Sequence, residues 1–344
     1  MPGAPSGPSA ERIFMILNAH QQSAALKGGI DLDLFTAIGE GATTVKALAV
    51  RCGAAERGIR ILADYLTVLG LLTKTNGTYG LTPEAASFLD KRSPAFIGSA
   101  ARFLASQETV QGFSDIAGAV RKGGTVIPED GAISPENSVW VEFARGMAPM
   151  MMPAADAITE IAGAASGKKW KVLDVAAGHG IFGIRMAAKN PNAEIVALDW
   201  ANVLEVGEEN ARRFGVAGRW SKLPGDALTV DYGRDYDLVL LTNFLHHFDQ
   251  AGCETILRKA RSALKPGGRT ITLEFVPNDD RVSPPVPAMF SLTMLASTPA
   301  GDAYTFAELD RMFRNAGFTR SELHSPPGLP EQVIVSYTDA KTGL

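Results

Sequence analysis

Two stretches of this 344-residue chain carry residue types at spacings that suit chemistry. The first reads Val172-Leu173-Asp174-Val175-Ala176-Ala177-Gly178-His179-Gly180-Ile181-Phe182-Gly183: an apolar run, a loop of small residues, then a helical pattern. Small residues let a ligand approach the backbone, and a helix start presents free N–H groups. The second reads Thr242-Asn243-Phe244-Leu245-His246-His247, just beyond the apolar run Asp237–Leu241. Two histidines past a strand's C-terminal end lie where open α/β sheets bind ligands. An imidazole there can take a proton near neutral pH.

The acids around the glycine loop indicate the ligand's charge. Asp174 stands four residues before Gly178 and would repel a pyrophosphate. It suits a cationic group instead. S-adenosylmethionine has that character, with an ammonium, a sulfonium and no phosphate. Asp199 ends the next apolar run, where an acid accepts from ribose hydroxyls. Gly225-Asp226-Ala227 precedes the fourth strand, and a carboxylate there can accept from an adenine amino group. Trp200, next to Asp199, is a candidate to lie against the adenine, and Thr242 to lie beside the cofactor. Taken literally, Gly178–Gly183 also fits GxGxxG, so the rival expectation is a nicotinamide-dependent oxidoreductase.

These residues need a scaffold. From Lys169 onward, short apolar runs (KVLDVA, EIVALD, YDLVLLT, RTITLEF, EQVIVSY) alternate with helical stretches, which predicts a largely parallel sheet covered on both faces. Residues 11–123 read as mainly helical. Within them a Thr-capped helix over 43–52, a helix over 55–69 and a hairpin at Asn76-Gly77 outline a winged helix. The expected organisation is a loose tail over 1–10, a helical domain over 11–123, a linker and connecting helices over 124–165, and the sheet domain over 166–344. The Pro/Gly/Asp-rich loop 124–136 is the expected seam.

Composition narrows the class. With 46% hydrophobic and 20% charged residues, a packed core is expected and wholesale disorder is not. A net charge of −4 argues against a chain built to neutralise nucleic acid or an anionic membrane. Residues 1–110 hold ten Lys and Arg against nine Asp and Glu, which is no footprint for DNA despite the winged-helix outline. Only Cys52 and Cys253 are present, and neither a signal peptide nor a membrane span is visible, so a reducing, cytoplasmic setting is expected. No set of ligands at a convincing spacing predicts a metal.

With Asp174, Asp199 and Asp226 in place, LDVAAGHG resembles the glycine-rich first motif of class I S-adenosylmethionine-dependent methyltransferases, with Ala176 where a Gly often stands. Over residues 11–338 the chain is similar to small-molecule O-methyltransferases with an N-terminal winged-helix dimerisation domain, such as the caffeate, hydroxyindole and polyketide types. The resemblance implies a Rossmann-like α/β methyltransferase domain, an interlocked homodimer and a small aromatic or polyketide-like acceptor. Setting Cys253 on the family's cysteine puts His246 on the catalytic base, His247 on the family's Asp and Phe248 on its Trp. Glu274 then falls on a Glu that orients the base. The family's second Glu falls on Ala303, with Asp302 and Tyr304 beside it. That departure keeps C- or N-methylation open next to O-methylation. Phe143-Ala144-Arg145-Gly146-Met147 is similar to a family segment whose Met packs on the substrate. The expected acceptor pocket comprises Phe143, Met147, Met150, Met151, Phe244, His247, Met289, Met294 and Tyr304.

Overall fold

The computed structural model describes residues 8–127 and 139–339. Most of the expected tail and of the expected seam lies outside those residues. The chain forms two compact units, divided between Ser106 and Gln107.

The first unit holds α1 (Glu11–Leu17), α2 (Ala19–Asp31), α3 (Leu34–Gly39), α4 (Val45–Cys52), α5 (Glu56–Val68), β1 (Leu72–Thr75), β2 (Thr78–Leu81), α6 (Pro83–Phe88) and α7 (Ala101–Leu104). Thr44 caps α4, its hydroxyl accepting from the Ala47 N–H at 3.2 Å, and Gly53 ends it in the left-handed region. Ile59, Ala63 and Leu66 form one buried face of α5, as a helical period requires. Thr75 pairs with Thr78 across a two-residue turn, and Asn76 and Gly77 both take positive φ, as a type I′ hairpin demands. These elements enclose a core of Leu34, Phe35, Leu48, Ile59, Leu66 and Tyr79. Helix α1 buries nothing within this unit, and Ile13 to Leu17 are all exposed.

The second unit contains α8 (Gln107–Gly112), α9 (Ile116–Lys122), α10 (Val139–Ile161), β3 (Trp170–Val175), α11 (Ile181–Lys189), β4 (Ala193–Asp199), α12 (Ala201–Arg213), β5 (Trp220–Pro224), β6 (Tyr236–Thr242), α13 (Gln250–Ala263), β7 (Leu264–Glu274), α14 (Pro285–Ser297), α15 (Phe306–Asn315), β8 (Arg320–His324) and β9 (Gln332–Tyr337). Helices α8 and α9, grouped by pattern with the first domain, pack on α14 in this unit. The Thr125 hydroxyl fixes that contact by donating to the Ala296 carbonyl at 2.7 Å.

The sheet runs β5-β4-β3-β6-β7-β9-β8. The first five strands are parallel, and β9 is antiparallel to both β7 and β8. Central strands β3 and β6 are buried almost throughout, so they read as continuous apolar runs. One face carries α13 and α15 over Val239, Leu241, Ile256, Leu309, Phe313 and Ile334. Helix α10 packs on α11 and α12 and contains Pro149 and Pro153 within its 23 residues. Because β9 is reversed, its start lies at the same sheet edge as the C-terminal ends of the parallel strands.

Candidate active site

The glycine loop joins β3 to α11. Ala176, Gly178 and Gly180 take positive φ values of 53°, 56° and 73°. A Cβ at Gly178 would meet only ordinary contacts, the nearest being Phe143 at 3.8 Å. Gly180 instead allows close packing, since a Cβ there would lie 3.3 Å from the Gly207 backbone and 3.2 Å from Ile184.

Asp174 is fully buried at the end of β3. One carboxylate oxygen accepts from the Gly183 N–H at 3.0 Å, and the other is buried with no partner. Burial pushes its pKa up to about 7, against the pull of the Gly183 bond. Asp199 ends β4, and its carboxylate accepts from the Gly178 and Trp200 N–H groups, both at 2.7 Å. Its carbonyl accepts from the Gly225 N–H at 3.0 Å. Asp199 therefore ties together the loops after β3, β4 and β5. Burial raises its pKa to about 6 although both hydrogen bonds oppose the rise. Asp226 uses one oxygen to hold its own turn through the Leu228 N–H at 2.8 Å, and Ala227 is buried beside it. No described Lys or Arg forms an ion pair with Asp174 or Asp199.

The second half of the site forms where β6 and β7 end. Thr242 is buried at the last position of β6. The next residues turn sharply, with Asn243 at φ 52° and a 3-10 turn over Leu245–His247. Glu274, the last residue of β7, organises this turn. One of its oxygens accepts from the Phe244 and Leu245 N–H groups at 3.0 and 2.8 Å. The other lies 2.5 Å from His246 Nδ1. With Nδ1–H donating to Glu274, His246 Nε2 keeps a lone pair for a proton. Both side chains are buried, with His246 5% exposed and Glu274 3%.

Flat groups surround this pair. The Phe290 ring meets His246 edge-on at 4.9 Å and stacks on Phe275 at 4.1 Å. His247 lies 4.4 Å from His246 and 5.3 Å from Trp140. Burial and the neighbouring imidazole hold the His247 pKa well below its ordinary value, and its Nδ1 is buried without a partner. Phe143 stacks on His179 at 6.0 Å, and burial lowers the His179 pKa to about 4. His179 Nδ1 accepts from the Ile181 N–H at 3.1 Å, so this loop histidine is neutral and serves the loop.

The expected pocket residues divide. Met147 and Met151 are buried on α10, and Met151 sulfur lies 3.6 Å from the Asn243 amide nitrogen. Phe244 is half-buried and meets Phe248 edge-on at 5.1 Å. Met294 is buried on α14, whereas Met289 on the same helix is 64% exposed and is not brought to His246. The Tyr304 hydroxyl donates to the Phe248 carbonyl at 2.6 Å, which commits it to holding the chain. Ala303 is fully buried, and Asp302 turns away to pair with Arg281 at 3.3 Å. Neither supplies a carboxylate to His246. Gly301 is needed beside them, because a Cβ there would fall 2.2 Å from the His246 carbonyl.

Pattern reading missed Trp140, His179, Asn243, Phe275 and Phe290. Phe275 directly follows Glu274, and Phe290 lies one turn before Met294, so adjacency to expected site residues was the available signal. Among the described residues, no group of three His, Cys, Asp or Glu side chains could hold a metal ion.

Comparison with known proteins places this geometry. The family model for the O-methyltransferase domain matches residues 131–319, more than half of the chain, and that for the O-methyltransferase dimerisation domain matches 14–91. The chain belongs to the O-methyltransferase family. It is 28% identical over 314 residues to the tetracenomycin polyketide synthesis 8-O-methyl transferase of Streptomyces glaucescens, covering 89% of this chain and 91% of that one. A Nostoc punctiforme protein of solved structure, described as a candidate O-methyltransferase, is 51% identical with a TM-score of 0.92, covering 96% of this chain and 100% of that one. Human N-acetylserotonin methyltransferase, solved with S-adenosylmethionine, shares the fold at a TM-score of 0.83 and 20% identity, covering 97% of this chain and 99% of that one.

Proposed function

We propose that this chain transfers the methyl group of S-adenosylmethionine to a hydroxyl of a small, flat acceptor of polyketide or hydroxyindole type. The observation that carries this reading is the buried His246–Glu274 pair at the end of β6, walled by Phe290, Phe275, His247 and Trp140. The residues around the glycine loop fit the methyl donor. Asp174 holds a buried oxygen without a donor, and Asp199 ends β4 beside the glycine loop, accepting from the Gly178 N–H. In this reading Asp174 and the Gly178–Gly180 backbone hold the methionine end, Asp199 the ribose, and Asp226 with Ala227 the adenine. When bound, the donor supplies an electrophilic methyl on a good leaving group.

The chain's own task is to orient the acceptor and to accept a proton. Holding two reactants in near-attack geometry accounts for about 7–11 kcal/mol of barrier in well-oriented systems. Phe143, Met147, Met151 and Phe244 are proposed to position the acceptor against the donor. His246 takes the hydroxyl proton at Nε2 as the acceptor oxygen bonds to the methyl carbon and the sulfur–carbon electron pair returns to sulfur. Glu274 steadies the imidazolium so formed. A phenol near pKa 10 and an imidazole near 6.5 are mismatched at rest, so the transfer proceeds as methyl bonding acidifies the hydroxyl.

The dimerisation-domain match and the exposed apolar residues of α1 support a homodimer formed through the N-terminal unit. The free thiols of Cys52 and Cys253 fit a cytoplasmic setting. No described helix is long and apolar enough to cross a membrane.

The test follows product S-adenosylhomocysteine with a panel of aromatic hydroxyls, in the parent protein and in His246→Ala. The variant is expected to turn over about 10²–10⁴-fold more slowly. Its calorimetric affinity for S-adenosylhomocysteine should be unchanged. Equal turnover in the two proteins would remove the base assignment.

A further inference from the structure

The base hangs from a short turn. Between the end of β6 at Thr242 and the start of α13 at Gln250, the regular structure is the 3-10 turn Leu245–His247. Within it the His247 N–H donates to the Phe244 carbonyl at 3.2 Å and the Phe248 N–H to the Leu245 carbonyl at 3.1 Å. Glu274 holds the His246 ring at Nδ1. That bond fixes where one ring atom lies. The direction of Nε2 also depends on the backbone that carries the ring.

Two side chains from other elements grip that backbone on either side of the histidine pair. Before it, the Cys253 thiol on α13 donates to the Leu245 carbonyl at 3.1 Å. After it, the Tyr304 hydroxyl donates to the Phe248 carbonyl at 2.6 Å. The Cys253 sulfur stands 3.7 Å from that second carbonyl, so its single hydrogen is better spent on Leu245, and Tyr304 is the close donor to Phe248. The segment before Tyr304 lies flush against the turn. A Cβ at Gly301 would fall 2.2 Å from the His246 carbonyl oxygen and 2.9 Å from the His247 carbonyl carbon. The Thr298 hydroxyl accepts from the Gly301 N–H at 2.8 Å and donates to the Met294 carbonyl at 2.7 Å, which ties this segment to the end of α14.

Tyr304 is buried, and its ring belongs to the core that holds Leu245, Cys253 and Leu309. Packing alone would be served as well by Phe, and a buried phenol has to find a partner for its hydroxyl. With the ring in the core and the hydroxyl on Phe248, little of Tyr304 is left to meet an acceptor. We infer that Tyr304, seconded by Cys253, is a positioning residue for methyl transfer: hydroxyl and thiol hold the carbonyls that flank His246 and His247 and so set the direction in which His246 Nε2 faces the acceptor. The inference rests on His246 being the base. A misplacement of about 1 Å can cost about 10²-fold in rate, so a restraint on this backbone reads out in kcat. The segment that offers no carboxylate at Ala303 thus serves the base through the main chain.

The experiment compares Tyr304→Phe, Cys253→Ala, Cys253→Ser, His246→Ala and the double variant Tyr304→Phe/His246→Ala in the full-length protein. It measures kcat and KM for the fastest acceptor of the aromatic-hydroxyl panel. It also follows the His246 ring by NMR in histidine-labelled protein saturated with S-adenosylhomocysteine, with His246→Ala identifying the signal. Tyr304→Phe is expected to lower kcat about tenfold, to leave KM and S-adenosylhomocysteine affinity unchanged, and to broaden or double the ring signal. In the His246→Ala background the same substitution should cost nothing further, because no imidazole remains to be aimed. Cys253→Ala should slow turnover, and Cys253→Ser, which keeps a donor, should recover most of it. A Tyr304→Phe protein with the parent's kcat, or with a ring signal as sharp as the parent's, overturns the inference. An undiminished loss in the His246→Ala background also overturns it, since the hydroxyl would then act on the fold and not on the base. If Tyr304→Phe folds poorly, the Cys253 pair decides, and equal turnover in Cys253→Ala and Cys253→Ser counts against it. Parent-like turnover in His246→Ala would instead overturn the base itself, so the two failures are told apart.

Discussion

Carboxylates stand at strand ends in both halves of the site, Asp174 and Glu274 buried and Asp199 half-buried, yet they are used differently. On the cofactor side, Asp174 and Asp199 spend oxygens on the backbone N–H groups of Gly183, Gly178 and Trp200 and face no imidazole or ion-paired cation. On the acceptor side, Glu274 also takes two N–H groups but gives its second oxygen to His246. Position on the sheet explains where the acids are. Both oxygens of Asp199 are taken by backbone, whereas Asp174 keeps one without a donor and Glu274 gives one to an imidazole. In the proposed reading the Asp174 oxygen receives a cationic group and the Glu274 oxygen readies its ring for a proton.

The comparison breaks most visibly at Glu274. Glu274→Ala orphans two backbone N–H groups and the base together. Turnover should fall at least as far as in His246→Ala, about 10²–10⁴-fold. Stability should also fall by about 1–3 kcal/mol for each N–H left buried and unpaired. Activity assays and denaturant melts on the two variants measure both effects. A Glu274→Ala protein as stable as His246→Ala would show that the carboxylate does not hold the turn.

A smaller effect separates the cofactor side. The folded chain keeps protons on Asp174 and Asp199 that the unfolded chain releases near pH 4, since burial raises them to about 7 and 6. The unliganded protein should therefore lose stability as pH rises from about 4 through 7. An ammonium ligand favours the ionised carboxylates, so the rise in Tm on adding S-adenosylmethionine should grow across the same window. Asp174→Asn keeps the acceptor for Gly183 and should flatten both trends. A pH-independent ligand shift in the parent protein would mean that neither acid meets a cation.

The smallest effect sharpens the acceptor side. Asp302→Ala breaks an exposed pair with Arg281, which Glu308 also engages. Stability should change by no more than about 0.5 kcal/mol and turnover not at all. A large loss of turnover would return Asp302 to the base's surroundings.

What could be read beforehand followed burial. The five strands with long apolar runs were legible, as were the Thr44 cap and the Asn76-Gly77 turn. Edge strands β5 and β8 were not, because WSKLP and RSELH hold few apolar residues and bury little beyond Trp220, and β8 even leaves its one apolar residue, Leu323, exposed. At the site, Glu274 was legible through the family resemblance, and the structure joins it to His246 at 2.5 Å. Met289 matched an apolar helix pattern, but α14 is apolar nearly all round, so type alone could not tell its exposed face from its packed one.

The two prolines of α10 have a mechanical consequence. Pro149 cannot donate to the carbonyl of Arg145, nor Pro153 to that of Pro149, so two rungs of the helical ladder, four residues apart, are missing. Both halves are seated: Ala154, Ala155 and Ile158 are buried on one side of the gap, while on the other Ala144 packs on Val203 and Val206 and Arg145 pairs with Glu209. The helix is therefore weakest in its own hydrogen bonding at its middle, where packing against α12 has to hold it. Amide exchange should be faster over 145–152 than over 154–161, and a uniform profile would mark α10 as a stiff rod.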